Sequence, residues 1–166
     1  MPQPIKHDLD ANVTTLGGRS LVMHCHFYNC ALQKAIEEGM GADARDVLRD
    51  SAAEPVRTQM LSLVDGDSSR VPEVASAVFR ELGFGALDLS QVSRDGGVAT
   101  VANSHYAMGW MVVEGAREEP ACRFVEGFIA GAVAALGGHE VTSVSVVESG
   151  CVACGDETCS FTVEVV

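Results

Sequence analysis

The chain has 166 residues, 47% of them apolar, and a formal net charge of −12. That length suits one domain able to bury its own core. The acidic balance excludes the basic surface that nucleic acid or an anionic membrane requires. The polar opening MPQPIKHDLD has no apolar core of the kind a signal peptide carries. No apolar run reaches the roughly 18 residues of a membrane span, so the expected location is the cytoplasm. There the six cysteines stay reduced, and they point to metal or chemistry rather than to a disulfide framework.

Residues 1–18 read as an N-terminal tail with a short extended segment. Residues 19–166 read as a single domain, helical over 19–84 and hairpin–helix–hairpin over 85–166. Ser20 is placed to cap a helix over Leu21 to Glu38, with Leu21, Cys25, Tyr28, Leu32 and Ile36 on one stripe. Gly39 and Gly41 end it. Asp43 caps a second helix to about Ala53; Pro55 breaks or restarts it, and further turns reach Val64. A loop follows at 65–69, then an amphipathic helix at 71–82 that Gly83 and Gly85 stop.

The second half changes character. Ala86 to Val92 and Val98 to Asn103 read as a hairpin around Asp95-Gly96-Gly97. Met108 to Gly115 has no decisive period, and EGAREEP is a loop. Pro120 opens a helix over about Ala121 to Leu136. Its Gly127 and Gly131, one turn apart, require a close helix–sheet or helix–helix contact. Val141 to Val147 and Ser160 to Val166 are the clearest strands. Helices first, then strands with one helix between hairpins, predict an α+β fold with an antiparallel sheet packed against helices. No GxGxxG or P-loop pattern stands in a strand-to-helix setting.

The run ESGCVACGDETC carries the most specific chemistry. Glu148, Cys151 and Cys159 flank a reversal at Gly155-Asp156. Cys122 lies in the first turn of the preceding helix, where free N–H groups favour a thiolate. Three thiolates and one carboxylate suit a tetrahedral Zn2+ that clips the C-terminal hairpin to that helix. Cys154, at zinc-knuckle spacing from Cys151, is the alternative to Glu148. The ordinary alternative for the group is a set of reduced core cysteines, and Cys25 and Cys30 fit that description better still.

From Ser104 to Phe161 the chain resembles the 4-vinyl reductase domain family. The resemblance rests on Pro120-Ala121-Cys122, on Gly127-Phe128 with Gly131, and most specifically on Glu148-x2-Cys151-x2-Cys154-Gly155-Asp156-x2-Cys159-x-Phe161. It implies a small-molecule-binding domain similar to the sensory domains of phenol-responsive bacterial activators. Those domains dimerise, bind an aromatic ligand, and hold a structural zinc nearby through Cys, Glu, Cys and Cys. By motif position these fall on Cys122, Glu148, Cys151 and Cys159, which favours Glu148 over Cys154. The family's phenol-contacting Trp falls at Val101, nine residues before Trp110, which implies a ligand other than phenol. The chain has no ATPase module and no DNA-binding helix pair, so a complete transcription activator is not expected.

A ligand pocket needs apolar walls and a few placed polar groups. His24 and Tyr28 share one face if their segment is helical, with His26 on another side. His105, Tyr106 and the single Trp, Trp110, lie within one short stretch. The candidate ligand-binding residues are therefore His24, Tyr28, His105 and Trp110; a satisfied histidine and a core tryptophan are the ordinary alternatives. No Cys/His pair comes with an orienting third group, so catalytic residues stay unassigned. The expected protein is a cytoplasmic, zinc-containing homodimer that binds a small aromatic or apolar molecule as sensor, carrier or pathway accessory. The alternatives are a small enzyme using the same pocket with a metal or cysteine as reagent, and an assembly subunit acting through its dimer surface.

Overall fold

Residues 5–22 and 24–166 are described by the computed structural model. Three short strands come first: β1 (Lys6–Asp8), β2 (Val13–Leu16) and β3 (Arg19–Ser20), antiparallel in the order β1-β2-β3. Leu16 is buried in the main core, so this small sheet is docked on the domain. Ser20 ends a strand and caps no helix. The pairing extends to Leu21, whose N–H donates to the Thr14 carbonyl at 2.9 Å.

Helix α1 (His26–Met40) therefore starts later than its periodicity suggests. Leu21 and Cys25 stand outside it, and Tyr28 and Leu32 are exposed. The face it buries carries Cys30 and Gln33 instead. Gln33 Nε2 donates to the Ala121 carbonyl and to Glu37 Oε1, each at 2.9 Å, which satisfies a buried amide.

Helix α2 (Ala44–Val64) runs unbroken through Pro55. An interior proline forfeits one helical hydrogen bond and costs about 3 kcal/mol. Burial of Ala52, Ala53, Val56, Met60 and Val64 holds the helix through it. α3 (Val71–Glu81) follows, amphipathic as its spacing predicts. β4 (Ala86–Ser93) and β5 (Gly96–Ala102) form the expected hairpin. The undecided stretch is α4 (His105–Val113), capped by Ser104 and apolar around its circumference. Cys122 is the N-cap of α5 (Arg123–Gly137), and β6 (Val144–Gly150) and β7 (Cys159–Val165) complete the chain.

The main sheet has the order β4-β5-β7-β6, every pair antiparallel. Burial alternates along β6 and β7, so one face is covered and the other meets solvent. The architecture is the α+β arrangement expected. α5 is buried around nearly its whole girth, with β6 on one side and α2 on the other. The glycine pair settles its partner: a Cβ at Gly127 would overlap the Arg49 carbonyl oxygen, and one at Gly131 that of Ala53. The close approach is helix to helix, backbone against backbone. Among the described residues, no helix is long and apolar enough to cross a membrane.

Candidate metal centre and the clefts beside it

Four donors meet at the sheet end of α5. One ligand atom from each of Cys122, Glu148, Cys151 and Cys159 lies within 4.8 Å of every other, and all four residues are buried. They come from three elements and one loop. Cys122 caps α5, Glu148 sits on β6, Cys159 opens β7, and Cys151 stands in the loop between the strands.

Backbone geometry sets the loop. Gly155 takes φ 102°, a left-handed conformation that suits glycine. Asp156 Oδ2 accepts from the Cys151 N–H at 2.7 Å and closes the turn. Further N–H groups point at the donors: Ala121 N to Cys151 Sγ at 3.4 Å, Val152 N to Cys159 Sγ at 3.5 Å, and Cys122 N to Glu148 Oε2 at 2.8 Å. Ser104 Oγ stands 3.1 Å from Cys122 Sγ.

Two observations test whether this set fits a metal ion. Cys122 Sγ and Cys159 Sγ are 3.6 Å apart; sulfurs about 2.3 Å from a tetrahedral ion lie roughly 3.8 Å from each other. Glu148 Oε1 is buried without any hydrogen-bond partner, a costly state for a carboxylate unless a cation meets it. The proton balance agrees. Burial, then the neighbouring Cys151 sulfur, push the Glu148 carboxyl up to about 8. Cys151 is held far below an ordinary thiol by hydrogen bonds from Cys122 and Cys159, while Cys122 is raised. A buried set that keeps protons for want of a counter-charge is one that exchanges them for a divalent ion. Cys154 is exposed on the short turn Val152–Cys154 and stands outside the four.

Residues 98–165 match the family model of the 4-vinyl reductase domain. The chain carries a 4-vinyl reductase domain. The phenol-responsive sensory domain of the transcription activator PoxR, crystallised with phenol, has the same fold: TM-score 0.82, 16% identity, 97% of this chain and 84% of that one covered. A vinyl-4-reductase family protein from Methanocaldococcus jannaschii aligns with TM-score 0.57 and 19% identity over 90% of this chain and 86% of that one. No curated protein matches the sequence.

In this 4-vinyl reductase domain the four candidate ligand-binding residues divide into separate places. His24 precedes α1 yet still meets Tyr28, ring centroids 4.3 Å apart. His24 lines a cleft of about 210 Å³ with Asn29, Phe84, Tyr106 and Phe124. Tyr106 and Phe124 are stacked at 5.2 Å. His105 lies behind that wall: its Nε2 accepts from Asn29 Nδ2 at 2.9 Å, and its ring meets His26 edge-on at 4.4 Å. Burial and the His26 charge lower its pKa. Trp110 is apart from this cleft, buried beneath the Arg117 guanidinium at 4.2 Å.

Several site residues escape a reading of the sequence. Phe84 and Phe124 supply the aromatic walls, and only the position of Phe124, two residues past Cys122, hinted at a role. Glu126 is fully buried. It accepts the Arg45 fork at 2.8 and 3.2 Å and the Glu148 N–H at 2.9 Å, so it ties α2 and α5 to the strand that carries a candidate ligand. Its signal was a single carboxylate in an otherwise apolar helix.

Proposed function

We propose that this domain binds a small aromatic or apolar molecule, and that Cys122, Glu148, Cys151 and Cys159 hold one structural Zn2+. With four protein donors the ion supplies a rigid tie, since catalytic zinc keeps a position open. The observation that carries the reading is the adjacency of the donor set to an aromatic-walled cleft. Phe124 follows Cys122 by two residues, and Tyr106 follows Ser104, whose hydroxyl meets the Cys122 sulfur. The tie thereby fixes the cleft's wall. His24 and Asn29 offer the polar edge, Tyr28 backs His24, and His105 orients Asn29. The neighbour crystallised with phenol supports a ligand of one or two rings. Val101 is buried in the core and brings no indole N–H, so the ligand differs from phenol. Thiolate ligation suits the reducing cytoplasm.

Titration of the metal-loaded protein with phenol, toluene and indole, followed by amide NMR, tests this. Toluene or indole is expected to shift signals around Phe84, Tyr106 and Phe124 saturably. Phe124→Ala should weaken binding roughly tenfold, the share of one well-placed ring (about 1.4 kcal/mol). Spectra indifferent to all three probes would overturn the reading.

A homodimer is the second element of the proposal. Phe27, Tyr28 and Leu32 on α1 and Met108, Met111 and Val112 on α4 are exposed by 40–67%, and the two helices pack together. An apolar face of that kind marks an interface. Sedimentation should give a dimer that Phe27→Glu combined with Val112→Glu converts to a folded monomer; a monomeric parent protein would end this part.

A further inference from the structure

A second cleft, of about 650 Å³, lies on the other side of the donor cluster, between the end of α1, the start of α2 and residues 117–123. It shares no lining residue with the aromatic cleft. Three arginines line it: Arg45, Arg117 and Arg123. Their engagement differs. Arg45 is committed to Glu126 by a two-pronged bond, and Arg117 reaches Glu37 at 3.3 Å while covering Trp110.

Arg123 is the exception. It is only 7% exposed, yet its nearest carboxylates are 3.6 Å away at Glu119 and 3.7 Å away at Glu126. Glu119 is 77% exposed, so that pair is screened by solvent. Glu126 is already occupied by Arg45 and the Glu148 N–H. A buried guanidinium normally forms close, charge-assisted bonds with its several donors. The second unsatisfied group on the same wall is Glu148 Oε1. That oxygen answers to a cation; the Arg123 fork answers to an anion.

The geometry points to an organic-acid site: Arg123, flanked by Arg117 and Arg45, receives the carboxylate of a small molecule in this cleft. A planar two-oxygen anion matches the guanidinium fork. A phosphate dianion fits less well, because Glu37, Glu119 and Glu148 line the same space and repulsion doubles with the ligand's charge. This site stands independently of the ring-binding proposal.

The test titrates the metal-loaded full chain with acetate, benzoate, benzamide and inorganic phosphate, reading the Nε–Hε signals of the arginines. Acetate and benzoate should shift the Arg123 signal saturably, benzamide should not, and phosphate should bind more weakly than benzoate. Arg123→Gln should weaken benzoate about tenfold or more, the share of one charge-assisted pair. Arg117→Lys, which leaves Arg123 in place, should weaken it by a smaller factor. An Arg123 signal unmoved by either carboxylate overturns the site in the unaltered protein. Undiminished affinity in a folded Arg123→Gln does the same, and tighter phosphate binding overturns the assignment to carboxylates. Shifts confined to Phe84, Tyr106 and Phe124 would put benzoate in the aromatic cleft and likewise reject it.

Discussion

Cys159→Ser is expected to release the bound metal and to lower stability by roughly 4 kcal/mol, the linkage contribution of an ion present at about a thousand times its dissociation constant. The sulfur lies 3.6 Å from that of Cys122 and opens β7, so its loss breaks the bond between strand and helix start. Serine nearly preserves the volume, which leaves little room for a packing explanation. The matched control is Cys154→Ser. That thiol is exposed and outside the donor set, and its change should stay within about 0.5 kcal/mol with full metal content. Elemental analysis and urea unfolding, with and without chelator, give both readings. Chelator should bring the parent protein down to the Cys159→Ser level and leave the variant unmoved. A parent protein isolated without metal, or one indifferent to chelator, would sink the metal-centre proposal.

Gly131→Ala should cost about 3 kcal/mol, the upper end of what overpacking does in a core. The added carbon meets the Ala53 carbonyl oxygen and lies 2.9 Å from the Arg57 backbone nitrogen. Backbone cannot change rotamer, so α2 and α5 must separate along much of their length. Gly39→Ala is the opposite case. It lies in α1 with nothing within 4 Å of the new carbon, and it should stabilise by about 0.5–1 kcal/mol through helix propensity alone. Urea midpoints at constant slope would separate the two. Equal stability of Gly131→Ala and the parent would mean that the helices are not in backbone contact.

The donor cluster was legible because its chemistry is local. Glu148, Cys151 and Cys159 stand in one run whose turn residues fix how they meet, and Cys122 was marked by the proline two residues before it. The sheet and the helix after it followed from periodicity and from glycine stops. What was lost depended on distant partners. Periodicity in α1 found an apolar stripe but not its direction: Tyr28 and Leu32 face outward while the amide of Gln33 is inside. The first strands are two to four residues long and hold together by pairing with one another, which leaves no period to read. α4 is apolar on every side, so neither helix nor strand was favoured. The link from Arg45 to Glu126 spans 81 residues of sequence. Pro55 misled for a related reason, since the packing that carries α2 across it comes from another helix.

The seating of α5 on α2 restricts how this domain can move. Two carbonyl oxygens of α2 project into notches one helical turn apart, at Gly127 and Gly131. To slide along its axis, α5 would first have to climb out of both notches, with the loss of contact that implies. Rocking about them needs no such climb. A disturbance arriving at Phe124 or Arg123, near the helix's first turn, would therefore leave as a change of tilt rather than as a piston stroke, and the far end at Gly138 would swing most.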